Sequence, residues 1–193
     1  MKIDILTLFP KMFEGPFAES ILQRAQDKNL VEIKIHDLRA WGLTGRRTVD
    51  DRPYGGGVGM LLRVDVIDKA ISKVKGQKSK VVLLDASGER YTQAKAKEFS
   101  KLEHLILIAG HYEGVDHRVT GGEIPAMVIT DSIVRLIPRV LSKKEATKIE
   151  SFSEPGKVEF PQYTRPEEYK KWKVPEVLLS GNHKEIEKWR KNK

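Results

Sequence analysis

The stretch IDILTLF, at Ile3 to Phe9, decides the predicted fold because it is almost wholly apolar and is followed by Pro10. Two further apolar runs predict strands of the same kind, KVVLL at Lys80 to Leu84 and LILIA at Leu105 to Ala109. VEIKIH, at Val31 to His36, alternates apolar and polar residues as a strand with one buried face does. Strands that are apolar throughout predict a parallel sheet with both faces covered.

Segments with apolar residues at helical spacing lie between these strands. The sequence predicts a helix that ends at Asn29, further helices over residues 66–74, 92–101 and 124–137, and a last short helix capped by Asn182. Strands that alternate with helices are typical of an α/β domain with a parallel sheet and helices on both faces. The connection from Asp37 to Gly59 is predicted as one long loop, a length that favours a functional role.

The character of the chain changes after Ile137, and this change sets the predicted domain boundaries. Residues 1–141 form the α/β domain, and the polar, Pro-containing residues 142–173 form a linker or arm. Residues 174–193 form a short, partly helical C-terminal extension.

Composition bounds the class of protein. The chain has 193 residues, no cysteine, a net charge of +8 and a pI of about 9.5. The absence of cysteine excludes disulfides, thiolate metal sites and thiol catalysis, and no apolar run approaches the length that spans a bilayer. We therefore expect a cytoplasmic protein, and its positive charge is weak evidence for a polyanionic partner.

A glycine-rich segment, DDRPYGGGVGM at Asp50 to Met60, predicts a loop that binds a ligand. Four glycines in eleven positions lose much backbone freedom on folding and expose N–H groups, so close approach to a ligand is the functional interpretation. A flexible surface turn is the alternative. The segment contains neither the G-x-x-x-x-G-K-[ST] nor the G-x-G-x-x-G fingerprint of nucleotide sites.

Ligands of parallel sheets bind beyond the carboxyl ends of strands, and three loops leave strand ends in this chain. They are the glycine-rich segment, Asp85 to Gly88, and Gly110 to Gly114. Arg135 lies on the otherwise apolar stretch VITDSIVRLIP, where an unpaired buried charge is prohibitive. Two interpretations stay open: Arg135 contacts a substrate, or it pairs with Asp131, four residues earlier.

Other candidate residues have a simpler alternative. His111 and His117 flank a strand-end loop and can act as general bases, although a solvated loop histidine is the commoner case. Glu150, Glu154 and the string from Tyr163 to Pro166 can contact nucleic acid, or they belong to a solvated arm. No H-x-x-x-H or H-E-x-x-H spacing occurs, which argues against a zinc site.

Long motifs occur in one order over nearly the whole chain. They are FP-x-MF at Phe9 to Phe13, RRTVDDRPYGGGVGM at Arg46 to Met60, GHYEGVD at Gly110 to Asp116, GGEIPAMVITDSIVRLIP at Gly121 to Pro138, ESF at Glu150 to Phe152, PQYTRP at Pro161 to Pro166 and PEVLLSGNH at Pro175 to His183. In these motifs the chain closely resembles the bacterial tRNA (guanine-N1)-methyltransferases of the SPOUT superfamily.

The resemblance implies a fold and an activity. The family has an α/β fold with a deep trefoil knot, binds S-adenosylmethionine in the knot, works as a homodimer with sites at the subunit interface, and is reported to need magnesium. It methylates N1 of the guanosine at tRNA position 37, just 3′ of the anticodon. By this resemblance residues 1–141 are the SPOUT methyltransferase domain, and residues 174–193 begin a tRNA-binding helical domain that stops early.

The resemblance also implies roles for individual residues. It places the general base at Glu150, where family members generally carry Asp, and the catalytic arginine at Arg135. Methylation of guanine N1 needs a base at N1 and a positive group for the charge that moves onto O6. The implied cofactor contacts are Leu83, Leu84, Asp85, Gly110, Tyr112, Glu113, Gly121 and Gly122. The implied substrate contacts, in a loop that approaches the flipped base, are Asp50, Arg52, Tyr54, Gly55, Gly56, Gly57 and Gly59.

Two positions depart from the family's pattern. Val58 stands where many members have proline. Between the counterparts of Val119 and Gly121, family members carry a variable stretch and an S-I-G-D-Y-V-L motif that forms much of the adenosine-binding loop. Only Thr120 separates these residues here, although parallel crossovers normally need about a dozen residues.

The short connection leaves alternatives open. Three explanations of the short connection are an engineered deletion, a natural loss, and a disordered ligand loop that the numbering passes over. We favour the last. A catalytically silent, tRNA-binding form without a complete cofactor loop is therefore the second functional hypothesis. A generic basic RNA-binding domain is the third.

Overall fold

The chain forms two compact units, Met1–Lys144 and Glu145–Lys193. The computed structural model describes residues 1–52, 54, 59–84, 89–110, 123–141 and 160–191. The first unit is an α/β domain built on a parallel sheet, which confirms the predicted fold class at that level.

Four parallel strands form the central sheet of the first unit. Their bounds are Lys2–Thr7 for β1, Glu32–Asp37 for β2, Ser79–Leu83 for β5 and His104–Ile108 for β6. The strand order is β2-β1-β6-β5, and in β1 Ile5 lies opposite Ile35 on one side and Leu107 on the other. β1 and β6 are apolar over most of their length because central strands bury both faces.

β1 ends at Thr7, two residues before the predicted end at Phe9. The backbone N–H of Phe9 donates to Thr7 Oγ1 at 3.0 Å, and the chain then enters a 3₁₀ helix at Pro10–Phe13. Proline at the start of this helix costs nothing, since its missing N–H would have no helical partner there.

Five α-helices of this unit lie within the described residues. They are α1 at Glu14–Phe17, α2 at Ser20–Asp27, α3 at Val64–Val74, α4 at Gln93–Phe99 and α5 at Glu123–Leu136. The single helix predicted before Asn29 is thus divided between α1 and α2. Asn29, with a φ of 53°, ends α2: its N–H bonds to Gln26, and the N–H of Leu30 bonds to Ala25, which is the Schellman arrangement.

The helices bury both faces of the sheet. On one face Ile3, Ile5 and Leu107 pack with residues of α2, α4 and α5. On the other face Leu6 and Ile106 pack with α3. This two-sided burial explains why apolar residues occupy successive positions of β1 and β6 instead of alternating with polar ones.

The connection predicted as one long loop, Asp37 to Gly59, contains short ordered elements, so that prediction was too simple. It holds a 3₁₀ helix at Leu38–Trp41 and strand β3 at Asp50–Asp51, which pairs antiparallel with β4 at Leu61–Leu62. The buried side chains of Leu38 and Val49 anchor this connection in the core.

In the second unit the described residues form a hairpin and two helices. The elements are β7 at Glu168–Tyr169, β8 at Trp172–Lys173, α6 at Glu176–Leu179 and α7 at His183–Lys191. The hairpin lies inside the stretch predicted as a linker. Asn182 Oδ1 accepts from the Glu185 N–H at 3.4 Å, as expected of the helix cap. No helix in the described ranges is long and apolar enough to cross a membrane.

Candidate functional site

The carboxyl ends of the parallel strands meet at one edge of the sheet. At this edge Leu83 lies opposite Ile108, which in turn lies opposite Leu6. Leu84 directly follows β5 and is half-buried, and Gly110 lies just beyond β6 and is buried. Three of the predicted cofactor residues therefore lie at two adjacent strand ends, where parallel sheets bind their ligands.

Several predicted residues lie outside the described residues. They are the cofactor residues Asp85, Tyr112, Glu113, Gly121 and Gly122, the substrate residues Gly55, Gly56 and Gly57, the candidate base Glu150, and the two loop histidines His111 and His117. Their roles stay predictions.

A buried hydrogen bond joins the end of β1 to the start of α5. Thr7 Oγ1 donates to Glu123 Oε1 at 3.2 Å, and both residues are buried. A buried carboxylate requires such a partner because desolvation of an unsatisfied polar group is costly. No motif in the sequence links these two residues, and their hydrogen bond fixes Glu123, which directly follows Gly121 and Gly122.

Arg135 lies in the last turn of α5 and pairs with Asp131. Its Nε lies 2.7 Å from Asp131 Oδ2, and the Arg135 side chain is 44% exposed. The ion pair with Asp131 is therefore present, and the contact of Arg135 with a substrate stays a prediction. Because nearly half of the side chain still faces solvent, the ion pair is compatible with a contact to a substrate.

A short antiparallel stem pairs residues at the two ends of the glycine-rich segment. Asp50 lies opposite Leu62, and Asp51 lies opposite Leu61. Leu62 is fully buried. Val49, the residue before the stem, is only 5% exposed. The stem is thus anchored in the core on both sides.

The described residues beyond this stem suit a substrate-facing loop. Arg52 and Tyr54 are exposed, the latter completely. Gly59 has a φ of 93°, a backbone conformation that residues with a Cβ rarely adopt, so one glycine of this segment is required by local geometry.

Arg63, directly after β4, forms ion pairs with two carboxylates near this segment, those of Asp51 and Asp65. Its Nη1 donates to Asp51 Oδ2 at 2.8 Å, while its Nε and Nη2 donate to the two oxygens of Asp65 at 3.1 and 2.9 Å. The hydrogen bonds from Arg63 lower the pKa of the Asp65 carboxyl. No motif in the sequence points to Arg63, because its partner Asp51 lies 12 residues earlier.

The second unit contains a cavity of about 530 Å³, within the size range of ligand pockets. Aromatic and basic side chains line it, among them Tyr163, Arg165 and Trp189. The rings of Tyr163 and Trp189 lie 6.4 Å apart, and the Arg190 guanidinium lies 4.8 Å from the centre of the Phe160 ring. Aromatic faces beside guanidinium groups can stack on and pair with nucleotides.

Comparison with known proteins identifies the family. The family model for tRNA (Guanine-1)-methyltransferase TrmD matches residues 1–193. The tRNA (guanine-N(1)-)-methyltransferase of Dictyoglomus turgidum is 50% identical over 206 residues, which cover 99% of this chain and 84% of the relative. The proteins of the same name from Bacillus licheniformis and Bacillus subtilis are 49% and 47% identical over 210 and 209 residues, with 99% and 98% of this chain and 86% of each relative covered.

These alignments are longer than the chain itself, which has 193 residues. The relatives therefore carry residues that have no counterpart here. A match along the entire length, at about half identity, leaves no doubt about membership. The chain belongs to the tRNA (guanine-1)-methyltransferase family.

Proposed function

We propose that this chain transfers a methyl group from S-adenosylmethionine to N1 of guanosine at position 37 of tRNA. The observation that carries the proposal is the identity of 47–50% over 98–99% of the chain with proteins named tRNA (guanine-N(1)-)-methyltransferase. These matches do not favour the alternative, a catalytically silent tRNA-binding form.

The edge of the sheet fits the proposed cofactor. Leu83 and Leu84 offer half-buried apolar surface for an adenine ring, and Gly110 lets backbone approach it closely. Tyr112, Glu113 and Asp85 would add polar contacts, and Gly121 and Gly122 would complete the site. When bound, S-adenosylmethionine supplies an electrophilic methyl group on a sulfonium.

Two side chains carry the chemistry on the tRNA side of the proposed reaction. The carboxylate of Glu150 accepts the proton that leaves guanine N1. The guanidinium of Arg135 stabilises the negative charge that develops on O6. The solvent exposure of Arg135 supports this role, and its pairing with Asp131 supports a fixed orientation.

We assign the target base to the glycine-rich segment. Asp50, Arg52 and Tyr54 supply polar and aromatic groups, and Gly55, Gly56, Gly57 and Gly59 supply bare backbone. The anchored stem and the full exposure of Tyr54 support this assignment, since an extruded base needs a stacking surface that it can reach.

The proposal includes a cytoplasmic homodimer with the SPOUT knot and sites at the subunit interface. An exposed apolar pair on α5 supports a dimer, because Ile124 and Val128, one turn apart, are 66% and 58% exposed. Exposed apolar surface of this kind marks protein interfaces. It lies on the helix that carries Arg135.

We further propose that residues 1–141 are the methyltransferase domain, 142–173 the linker, and 174–193 the start of a tRNA-binding region. The aromatic and basic cavity, to which Tyr163 and Arg165 of the linker contribute beside Trp189, supports RNA contact by both of the last two stretches.

Magnesium dependence is also part of the proposal. Among the described residues no group of three or more His, Asp or Glu side chains could hold a metal ion.

A direct experiment tests the function. The chain is incubated with S-adenosylmethionine labelled in its methyl group and with a tRNA transcript that carries G37, beside a transcript in which G37 is replaced by A. Labelled N1-methylguanosine in the first transcript and no label in the second supports the proposal. Calorimetry with the same cofactor separates the alternatives, since the silent form would bind tRNA but not the cofactor.

A further inference from the structure

We propose that Arg63 is a positioning residue for the glycine-rich segment. Its guanidinium fixes Asp51, and through Asp51 it orients the neighbouring substrate residues Asp50 and Arg52. The inference rests on the proposed role of this segment in tRNA binding. It goes beyond that role because it names the group that holds the segment in place.

Asp51 is bound at both carboxylate oxygens. Its Oδ1 accepts from the backbone N–H of Arg52 at 2.8 Å, and its Oδ2 accepts from Arg63 Nη1 at 2.8 Å. The bond to Arg52 fixes the start of the loop. The bond to Arg63 ties Asp51 to the residue that follows β4, across the stem. A rotation of the Asp51 side chain would therefore break a contact to each.

Asp65 holds the other side of the Arg63 guanidinium. Both of its oxygens accept from Arg63, and Oδ1 also accepts from the Val66 N–H at 3.0 Å, in the first turn of α3. Val66 and Ile67 are buried beneath the sheet. A continuous set of charge-assisted contacts thus runs from the core helix through Arg63 to Asp51.

The planar fork of arginine suits this task, and a lysine does not. Arg63 uses Nε and Nη2 for one carboxylate and Nη1 for the other, and a single ammonium cannot span both at these distances. The stem itself does not depend on the side chain. Leu62 is fully buried, and the Arg63 backbone N–H donates to the Val49 carbonyl at 2.9 Å.

A direct contact between Arg63 and a tRNA phosphate is the competing explanation. It predicts opposite behaviour for Asp51. If Arg63 touches RNA, removal of the Asp51 charge leaves binding unchanged or strengthens it, because a negative group is lost near the polyanion. If Arg63 acts through Asp51, the same change weakens activity.

The experiment is a double-mutant cycle on kcat/KM for tRNA with Arg63→Met and Asp51→Asn. We expect each single variant to lower kcat/KM about tenfold, and the double variant to be no worse than either, because coupled residues are not additive. The matched control is Lys73→Met, which removes an exposed charge from α3 and should stay within about twofold. Affinity for S-adenosylmethionine, measured by calorimetry, should not change.

Two outcomes overturn the inference: additive losses, or a loss in Arg63→Met with unchanged or raised activity in Asp51→Asn. If the unmodified chain transfers no methyl group to tRNA, the proposed function fails separately. Amide hydrogen exchange over residues 50–62 then decides the structural part. Faster exchange in Arg63→Met than in the unmodified chain supports the positioning role, and equal exchange contradicts it.

Discussion

Arg135 Nε lies 2.7 Å from Asp131 Oδ2, one turn earlier on α5. The pair lies on an exposed part of this helix, since the two side chains are 44% and 39% exposed. Exposed ion pairs of this spacing contribute only about 0.3–0.5 kcal/mol to stability. Its main consequence is therefore the orientation of the guanidinium.

We predict that Arg135→Ala lowers the rate of methyl transfer by at least about 100-fold, because it removes the charge that we propose stabilises O6. Asp131→Asn should lower that rate about tenfold through loss of orientation. Single-turnover rates at saturating tRNA and cofactor measure both effects. Asp68→Asn, which removes an exposed carboxylate from α3, is the control, and near-normal turnover of Arg135→Ala would refute the role.

A charge placed in the exposed apolar pair on α5, Ile124 and Val128, should weaken the proposed dimer. Val128→Asp should raise the dissociation constant of the proposed dimer by about 100-fold or more, because an unpaired carboxylate would be buried in the interface. Sedimentation velocity measures the change. Ser72→Asp places the same group on an exposed position of α3 and should leave the dimer intact. An unchanged dimer in Val128→Asp would show that this surface lies outside the interface.

A buried carboxylate on β1 predicts a pH dependence of stability. Asp4 is fully buried, with His36 Nε2 at 2.6 Å, His104 Nε2 at 2.5 Å and Lys2 Nζ at 2.8 Å. Burial raises the pKa of this carboxyl, but the hydrogen bonds from His36, Lys2 and His104 outweigh it and lower the pKa to about 2. The folded state therefore favours the ionised form.

The sign follows from this pKa. The contribution of Asp4 is fully present above its ordinary value of 3.8 and is lost as the pH falls towards about 2. Asp4→Asn should lower the free energy of unfolding in urea by about 2 kcal/mol at pH 7. The gap in unfolding free energy between this variant and the unmodified chain should narrow below pH 3.8. Asp68→Asn again serves as the control. A gap that widens on acidification would contradict this assignment.

The proposed base predicts a selective loss. Glu150→Gln keeps the size of the side chain but cannot accept a proton, so methyl transfer should fall about 100- to 10,000-fold while cofactor affinity changes little. Glu150→Asp, which installs the family's usual residue, should retain activity. Asp68→Asn, which removes an exposed carboxylate from α3, is the control and should be nearly neutral. Equal losses in cofactor binding and turnover would assign Glu150 a structural role.

The sheet could be predicted because strands that are buried on both faces carry apolar residues at successive positions. Ile5 and Leu6 are successive residues that pack on opposite faces, so β1 cannot alternate apolar with polar residues. The predicted strand ends were less accurate, because β1 ends where the Thr7 hydroxyl accepts a hydrogen bond from the Phe9 N–H. A local side-chain bond of this kind leaves no periodic signal.

The contacts that position the candidate site could not be predicted. Thr7 and Glu123 are 116 residues apart, and only the fold brings them within 3.2 Å. No local pattern links His36 or His104 to Asp4, yet both contact it. Residue identities at the site came from resemblance to a family, whereas pairing partners depend on tertiary structure that local patterns do not encode.

The central claim is methyl transfer to guanine N1 at one position of tRNA, and nucleoside mapping tests it most directly. A G37 tRNA transcript is methylated by the unmodified chain, digested with a base-specific ribonuclease and analysed by mass spectrometry. We predict N1-methylguanosine at position 37 alone, approaching one methyl group for each tRNA. Failure to methylate this transcript, with cofactor and tRNA both shown to bind, would contradict the proposed function.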